Sequence, residues 1–262
     1  MKKIKVLTLL LLWAVTPALS QINWVKDLKI AQASALTTDK FIVMDFWATW
    51  CGPCKKMDSD MWNTEEMAKY KDKFVFLKID VDNNKALAMG YQANSIPKVI
   101  VIDASGNVLW NQVGYQNAIP YFKILEGLPF DKLPSNDLKA YLNDTNKESA
   151  ALNIGLWYQS VSANLENQKL AMSFLNMSDQ YLKTATKSKN ENVAIEADFS
   201  LVLNQAYKGN TKKAIKKVAK MDETEMKNFI LAYCYKCEGQ NELMNKFTEK
   251  IKSEELLARL DN

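Results

Sequence analysis

The sequence predicts an α/β layer domain followed by an all-α half. Three observations carry this: short apolar runs alternating with stretches of helical spacing as far as about Leu125, the loss of strand signals beyond Gly127-Leu128-Pro129, and apolar stripes with steps of three and four thereafter. In order, Trp24 to Ala35 has apolar residues at helical spacing, Phe41 to Trp47 reads as a fully buried strand, and Cys51 to Met61 as a helix. A short helix is expected from Asn63, with Glu66 three residues on completing its start signal. Phe74 to Ile79 is a second strand, Asn84 to Tyr91 a helix, and Val99 to Ile102 a third strand. The turn Asp103-Ala104-Ser105-Gly106-Asn107 leads into a fourth strand at Val108 to Val113, and Pro120 opens a helix running to about Leu125.

In the second half, Leu170, Phe174, Met177 and Tyr181 make one apolar stripe, and Ile195, Phe199, Val202 and Ala206 another. Gly209-Asn210 is echoed by Gly239-Gln240 thirty residues later, which suggests helical hairpins. The expected boundaries are a leader over 1–20, an α/β domain over 21–130 and a helical domain over 131–262. The leader reading rests on Lys2, Lys3 and Lys5 before the apolar run Val6 to Val15, then Pro17, Ala18 and Ser20. That run is about ten residues, half of what a membrane span needs, so no stable membrane insertion is expected after cleavage.

The whole chain carries 34 basic and 30 acidic residues, and three of the lysines fall in the leader. A near-neutral remainder argues against a general nucleic-acid binder. Histidine is absent, which excludes imidazole acid–base catalysis and histidine metal sites. The four cysteines form two CxxC pairs, Cys51 with Cys54 and Cys234 with Cys237. Two such pairs can spell a zinc site, but these lie much farther apart than zinc-binding halves do.

Cys51 stands where a buried strand ends and a helix begins. A cysteine reacts as its thiolate, and free N–H groups at a helix start stabilise that thiolate. Cys51 is therefore expected to attack with an exposed sulfur, and Cys54, one turn deeper, to resolve. The alternative is a structural disulfide. Asp45 is the odd residue in an apolar strand. Burial there should raise its pKa toward neutrality unless it faces water on an edge strand. Met226, Ile230, Cys234 and Cys237 share one helical face, so the second pair reads as buried thiols or an inert disulfide, with a redox relay as the rival.

The run Asp45-Phe46-Trp47-Ala48-Thr49-Trp50-Cys51-Gly52-Pro53-Cys54-Lys55, with Lys78, Ile96-Pro97 and Val113-Gly114, resembles the thioredoxin family. The resemblance covers roughly Trp24 to Leu128 and implies a thioredoxin fold, a central mixed sheet flanked by helices. It implies that Asp45 assists deprotonation of Cys54, that Lys78 tunes that carboxylate, and that Pro97 is cis and faces Cys51. Trp50, Gly52, Pro53, Ile96, Pro97 and Gly114 would then form a shallow substrate groove around Cys51. The helical half weakly resembles tetratricopeptide hairpins.

The expected activity is reduction or exchange of disulfides in extracytoplasmic, periplasmic proteins, with no organic cofactor and no metal. Its expected partners are those proteins and a membrane electron donor such as a disulfide-reducing transporter. The rivals are a client-binding or chaperone protein with incidental redox activity, and a net disulfide isomerase or oxidase.

Overall fold

A computed structural model describes residues 22–130 and 132–261. The leader reading on residues 1–20 lies outside the described residues. Five strands form one mixed sheet in the order β1-β3-β2-β4-β5. They are β1 Trp24–Val25, β2 Ile42–Trp47, β3 Val75–Asp80, β4 Lys98–Ile102 and β5 Val108–Val113. β2 is central, parallel to β3 and antiparallel to β4, and every residue from Ile42 to Phe46 is buried. Burial on both faces is why its sequence shows a continuous apolar run instead of alternation.

The helices of this part are α1 Leu28–Thr38, α2 Gly52–Met57, α3 Glu65–Ala68, α4 Lys85–Gly90 and α5 Ile119–Gly127. Two element starts differ from expectation. Trp24 belongs to an edge strand, and α1 begins only at Leu28, where the Asp27 carboxylate accepts the N–H of Ile30 at 3.0 Å. Trp24 instead packs edge-on against Trp62 and Phe76. The cap of α3 is Thr64, not Asn63: its hydroxyl accepts the N–H of Met67. After α2 the chain makes one π-helical turn over Asp58–Trp62, which buries Met61 and Trp62 beside Met57.

The rest is helical: α6 Ser135–Leu142, α7 Lys147–Ser162, α8 Gln168–Ala185, α9 Glu191–Tyr207, α10 Thr211–Val218, α11 Glu225–Cys237, α12 Asn241–Thr248 and α13 Glu254–Asp261. Secondary structure changes character near residue 130, but the apolar core continues across it. One buried cluster runs from Ile22 through Leu138, Tyr158 and Phe174 to Ala197, and a second holds α9 to α13 from Phe199 to Leu260. Phe41 at the head of β2 contacts the rings of Trp157 and Phe174. α7 and α8 approach so closely at Gly155 that a Cβ there would lie 2.7 Å from Leu182 Cγ.

The stripe on α8 is buried throughout, whereas Ile195 on α9 is exposed. Phe199, Val202 and Ala206 of the α9 stripe are buried as expected, and the buried face also takes in Ser200 and Asn204, paired to the amide of Gln159, which an apolar period does not reveal. The turns after α9 and α11 match bond for bond. Gly209 and Gly239 take positive φ and donate to Ala206 and Lys236, and Asn210 and Gln240 donate to Gln205 and Tyr235. Among the described residues no helix is long and apolar enough to cross a membrane.

Candidate active site

The site forms where β2 ends and α2 begins. Cys51 is the N-cap of α2, with Pro53 in its first turn, and its sulfur accepts the Cys54 N–H at 3.2 Å. Cys51 and Cys54 are joined in a disulfide, their Cα atoms 5.3 Å apart. The expectation of an exposed Cys51 sulfur is corrected: both residues are 3% exposed. Cys51 packs against Ala48 and Cys54, with Trp47, Val81 and Ile96 around them. Exposure belongs to the residues beside the sulfurs, Gly52, Pro53 and above all Trp50, whose side chain is 67% exposed.

Trp50 is held all the same. Its indole N–H donates to Asp82 Oδ2 at 2.8 Å, and the Asp82 N–H donates to Asp80. Nothing in the local pattern at Asp82 marks this role, since its partner lies across the sheet end.

Ile96-Pro97 is a cis peptide, as the resemblance implied. Ile96 packs on the disulfide, and the Pro97 carbonyl accepts the N–H of Gly114 at 2.8 Å. The Gly114 carbonyl in turn accepts the Tyr121 hydroxyl at 2.6 Å. The backbone of β5 is thereby tied to the residues facing the cysteines. A cavity of about 220 Å³ at Gly114 is lined by residues of β5, α5 and the loop between them.

On β2, Asp45 is 2% exposed, and its Oδ1 has no hydrogen-bond partner among the described residues. Lys78, its register partner on β3, places Nζ 3.5 Å from Asp45 Oδ2. Burial pushes the Asp45 carboxyl up to about 7; Lys78 opposes the rise and the nearby Asp58 adds to it. Asp58, on the π turn, forms its own ion pair with Lys78. Lys78 thus serves two carboxylates and lies over the rings of Trp24 and Trp47. Asp58 escaped the sequence reading because the helix period changes there. Lys98 is a second missed residue: buried at the start of β4, it donates to the carbonyls of Tyr91 and Gln92 at the end of α4.

The second cysteine pair is apart from this geometry. Cys234 and Cys237 are free thiols, Cys234 buried and Cys237 exposed, so the expectation of two buried cysteines is half corrected. Cys237 falls in the last turn of α11, where the packed face ends. Burial pushes the Cys234 thiol up to about 12, which leaves it a poor nucleophile.

The thioredoxin family pattern matches residues 25–121. The thioredoxin of Mycoplasmoides gallisepticum is 38% identical over 80 residues, which are 30% of this chain and 76% of that protein. The chain belongs to the thioredoxin family. Thioredoxin-T of Drosophila melanogaster is 42% identical over 84 residues, 32% of this chain and 51% of that protein. The chain spans 51% and 58% of the length of Thioredoxin-T and Thioredoxin-1 of Drosophila melanogaster and 64% of an Echinococcus granulosus thioredoxin. A solved thioredoxin from Nicotiana alata is 30% identical and aligns with 40% of this chain and 93% of its own, at a TM-score of 0.35. The thioredoxin match ends at residue 121, before α6 begins.

Proposed function

We propose that the chain is a thiol-disulfide oxidoreductase that reduces or exchanges disulfides of extracytoplasmic proteins through Cys51 and Cys54. The observation that carries this reading is the Cys51–Cys54 disulfide at the start of α2, backed by a buried carboxyl poised near neutrality.

In the dithiol form, the first-turn N–H of Cys54 and the helix dipole stabilise a Cys51 thiolate. That thiolate attacks one sulfur of the substrate disulfide, forming a mixed disulfide and expelling the other substrate sulfur as a thiolate. Asp45 takes the proton of Cys54. The Cys54 thiolate then attacks Cys51 Sγ, releasing the second substrate sulfur and closing the Cys51–Cys54 bond. Two electrons pass to the substrate, whose two thiolates take up two protons. Lys78 holds the Asp45 charge within bounds, while Trp50, Gly52, Pro53, Ile96, Pro97 and Gly114 border the approach.

Resetting the dithiol takes a two-electron dithiol donor, and a membrane disulfide-reducing transporter suits an exported chain. Export to the periplasm is supported by the leader pattern of Met1 to Ser20. Insulin reduction driven by dithiothreitol tests the activity. It should be lost in Cys51→Ser, and a Cys51→Ser chain that matched wild type would sink the reading. Trapping on Cys54→Ser identifies substrates. A chaperone role would show instead as suppression of client aggregation that persists in Cys51→Ser.

A further inference from the structure

The chain has one arginine, Arg259, against 33 lysines among its 34 basic residues. Every other basic side chain is a lysine. Arginine differs in presenting a planar fork of five N–H donors suited to a carboxylate. Arg259 is half-buried on α13 and fixed in place. Leu256 and Leu260 on the same helix enter the core of α9 to α13, and Lys236 on α11 donates to the Leu260 carbonyl. The guanidinium lies 4.9 Å over the Phe229 ring and donates to the Tyr207 hydroxyl at 3.3 Å. Among the described residues it has no carboxylate partner, although surface lysines of this chain such as Lys56 and Lys147 do.

Arg259 also stands between two adjoining cavities of about 400 and 530 Å³, which share it with Gln159 and Ser160. The first is walled by Leu175 and by Tyr207, which packs edge-on to Tyr233. The second reaches Trp157 and Met226, with Glu196 and Glu255 at its border. Together they form a trough between the helices, with apolar and aromatic walls and at its middle one pinned guanidinium that has no carboxylate partner among the described residues. Room of this size exceeds a single small ion and suits a segment of several residues.

We propose that this trough binds an extended peptide segment through a carboxylate placed on Arg259. A half-buried arginine whose planar fork spends one bond on Tyr207 among the described residues gains most from a bidentate carboxylate. Glu196 and Glu255 disfavour a second carboxylate toward their end, so the segment carries its acidic group at one position and neutral or basic residues beyond it. The site is separate from Cys51 and does not depend on the redox reading.

The test is selection of displayed random decapeptides without cysteine on the full oxidised chain, in parallel with Arg259→Gln. Peptides selected by wild type should share one acidic position, and this preference should vanish with Arg259→Gln. For a selected peptide, fluorescence anisotropy should show binding weakened about tenfold or more when its acidic residue becomes an amide, or when Arg259 becomes glutamine. Arg259→Lys should recover part of the affinity, and circular dichroism establishes that each variant is folded. Absence of any selected peptide, or an acidic preference unchanged in Arg259→Gln, would overturn the proposal. Because the peptides lack cysteine, neither result bears on disulfide exchange.

Discussion

Lys78 Nζ stands 3.5 Å from Asp45 Oδ2, in register across β2 and β3, yet the Asp45 carboxyl is held near 7. An ammonium that close would ordinarily pull a carboxylate down. Burial prevails here, and Lys78 is also engaged by Asp58.

This arrangement makes stability depend on pH. The folded Asp45 carboxyl titrates at about 7 and the unfolded one near the ordinary aspartate value of 3.8, so between those values the folded state binds more protons. Stability from this group is fully present below about 4 and is lost as pH rises through 7. A shift of this size corresponds to on the order of 4 kcal/mol. Asp45→Asn should therefore flatten the slope between pH 4 and 7 and be the more stable chain at pH 8, as read by urea denaturation. The same variant should turn over insulin about tenfold to a hundredfold more slowly at pH 7, through loss of the proton acceptor. Wild-type turnover at pH 7 would remove Asp45 from the mechanism.

Asp58 gives a sharper test. Its charge raises Asp45, and its ion pair occupies Lys78. Asp58→Asn should free Lys78 for Asp45 and lower the Asp45 pKa, moving the acid limb of the pH–rate profile down by about one pH unit. Asp60→Asn, two residues on but exposed and paired with Lys56, should leave the profile in place. Equal profiles for both variants would show that Asp58 does not act on Asp45.

Strands β2 to β5 and the site were legible wherever a local pattern reflects burial. β2 declared itself by an apolar run with one aspartate, and Cys51 by its place after that run. Asp58 and Asp82 were not legible, because their partners Lys78 and Trp50 meet them only after the sheet forms. The buried polar face of α9 hid for a related reason: Asn204 is inside because Gln159 and Ser178 satisfy it, and periodicity reads only apolar residues. Cys237 shares a helical face with Cys234, but nothing in the spacing reveals that the packing ends one turn earlier.

The Trp50–Asp82 bond concerns docking more than chemistry. An exposed indole fixed by one hydrogen bond presents its face to a substrate without the entropy cost of ordering it on binding. Asp82→Ala should raise KM for a protein disulfide a few-fold while leaving kcat nearly unchanged. Reduction of a small aromatic disulfide, which needs no such surface, should be little affected. Equal losses on both substrates would place Asp82 in the chemical step.

The free thiols of α11 should be dispensable to turnover. Cys234 is buried with its thiol pushed up to about 12, so few of its molecules are thiolate near neutral pH. Cys234→Ala with Cys237→Ser should reduce insulin at the wild-type rate. A drop of tenfold or more in a folded double variant would restore the relay.

Asp103 joins the two halves. It is fully buried in the β4–β5 turn and accepts from the N–H groups of Ser105 and Asn107, the Asn107 amide, and the hydroxyls of Tyr158 and Tyr181 on α7 and α8. Burial raises its pKa, and the donors from Asn107, Tyr158 and Ser105 restrain the rise. Tyr158→Phe removes the 2.9 Å hydroxyl bond and adds no new polar group. It should cost about 1 to 3 kcal/mol, because a buried charged acceptor loses a donor. The direction of the pKa shift adds a second readout. With its pKa raised further in the variant, Asp103 is still better tolerated when protonated, so the loss should be greater at pH 8 than at pH 4. Urea denaturation at both values measures it. A penalty that did not change with pH would mean that Tyr158 supports the junction by packing on Phe174 and Tyr181 and not through the carboxylate.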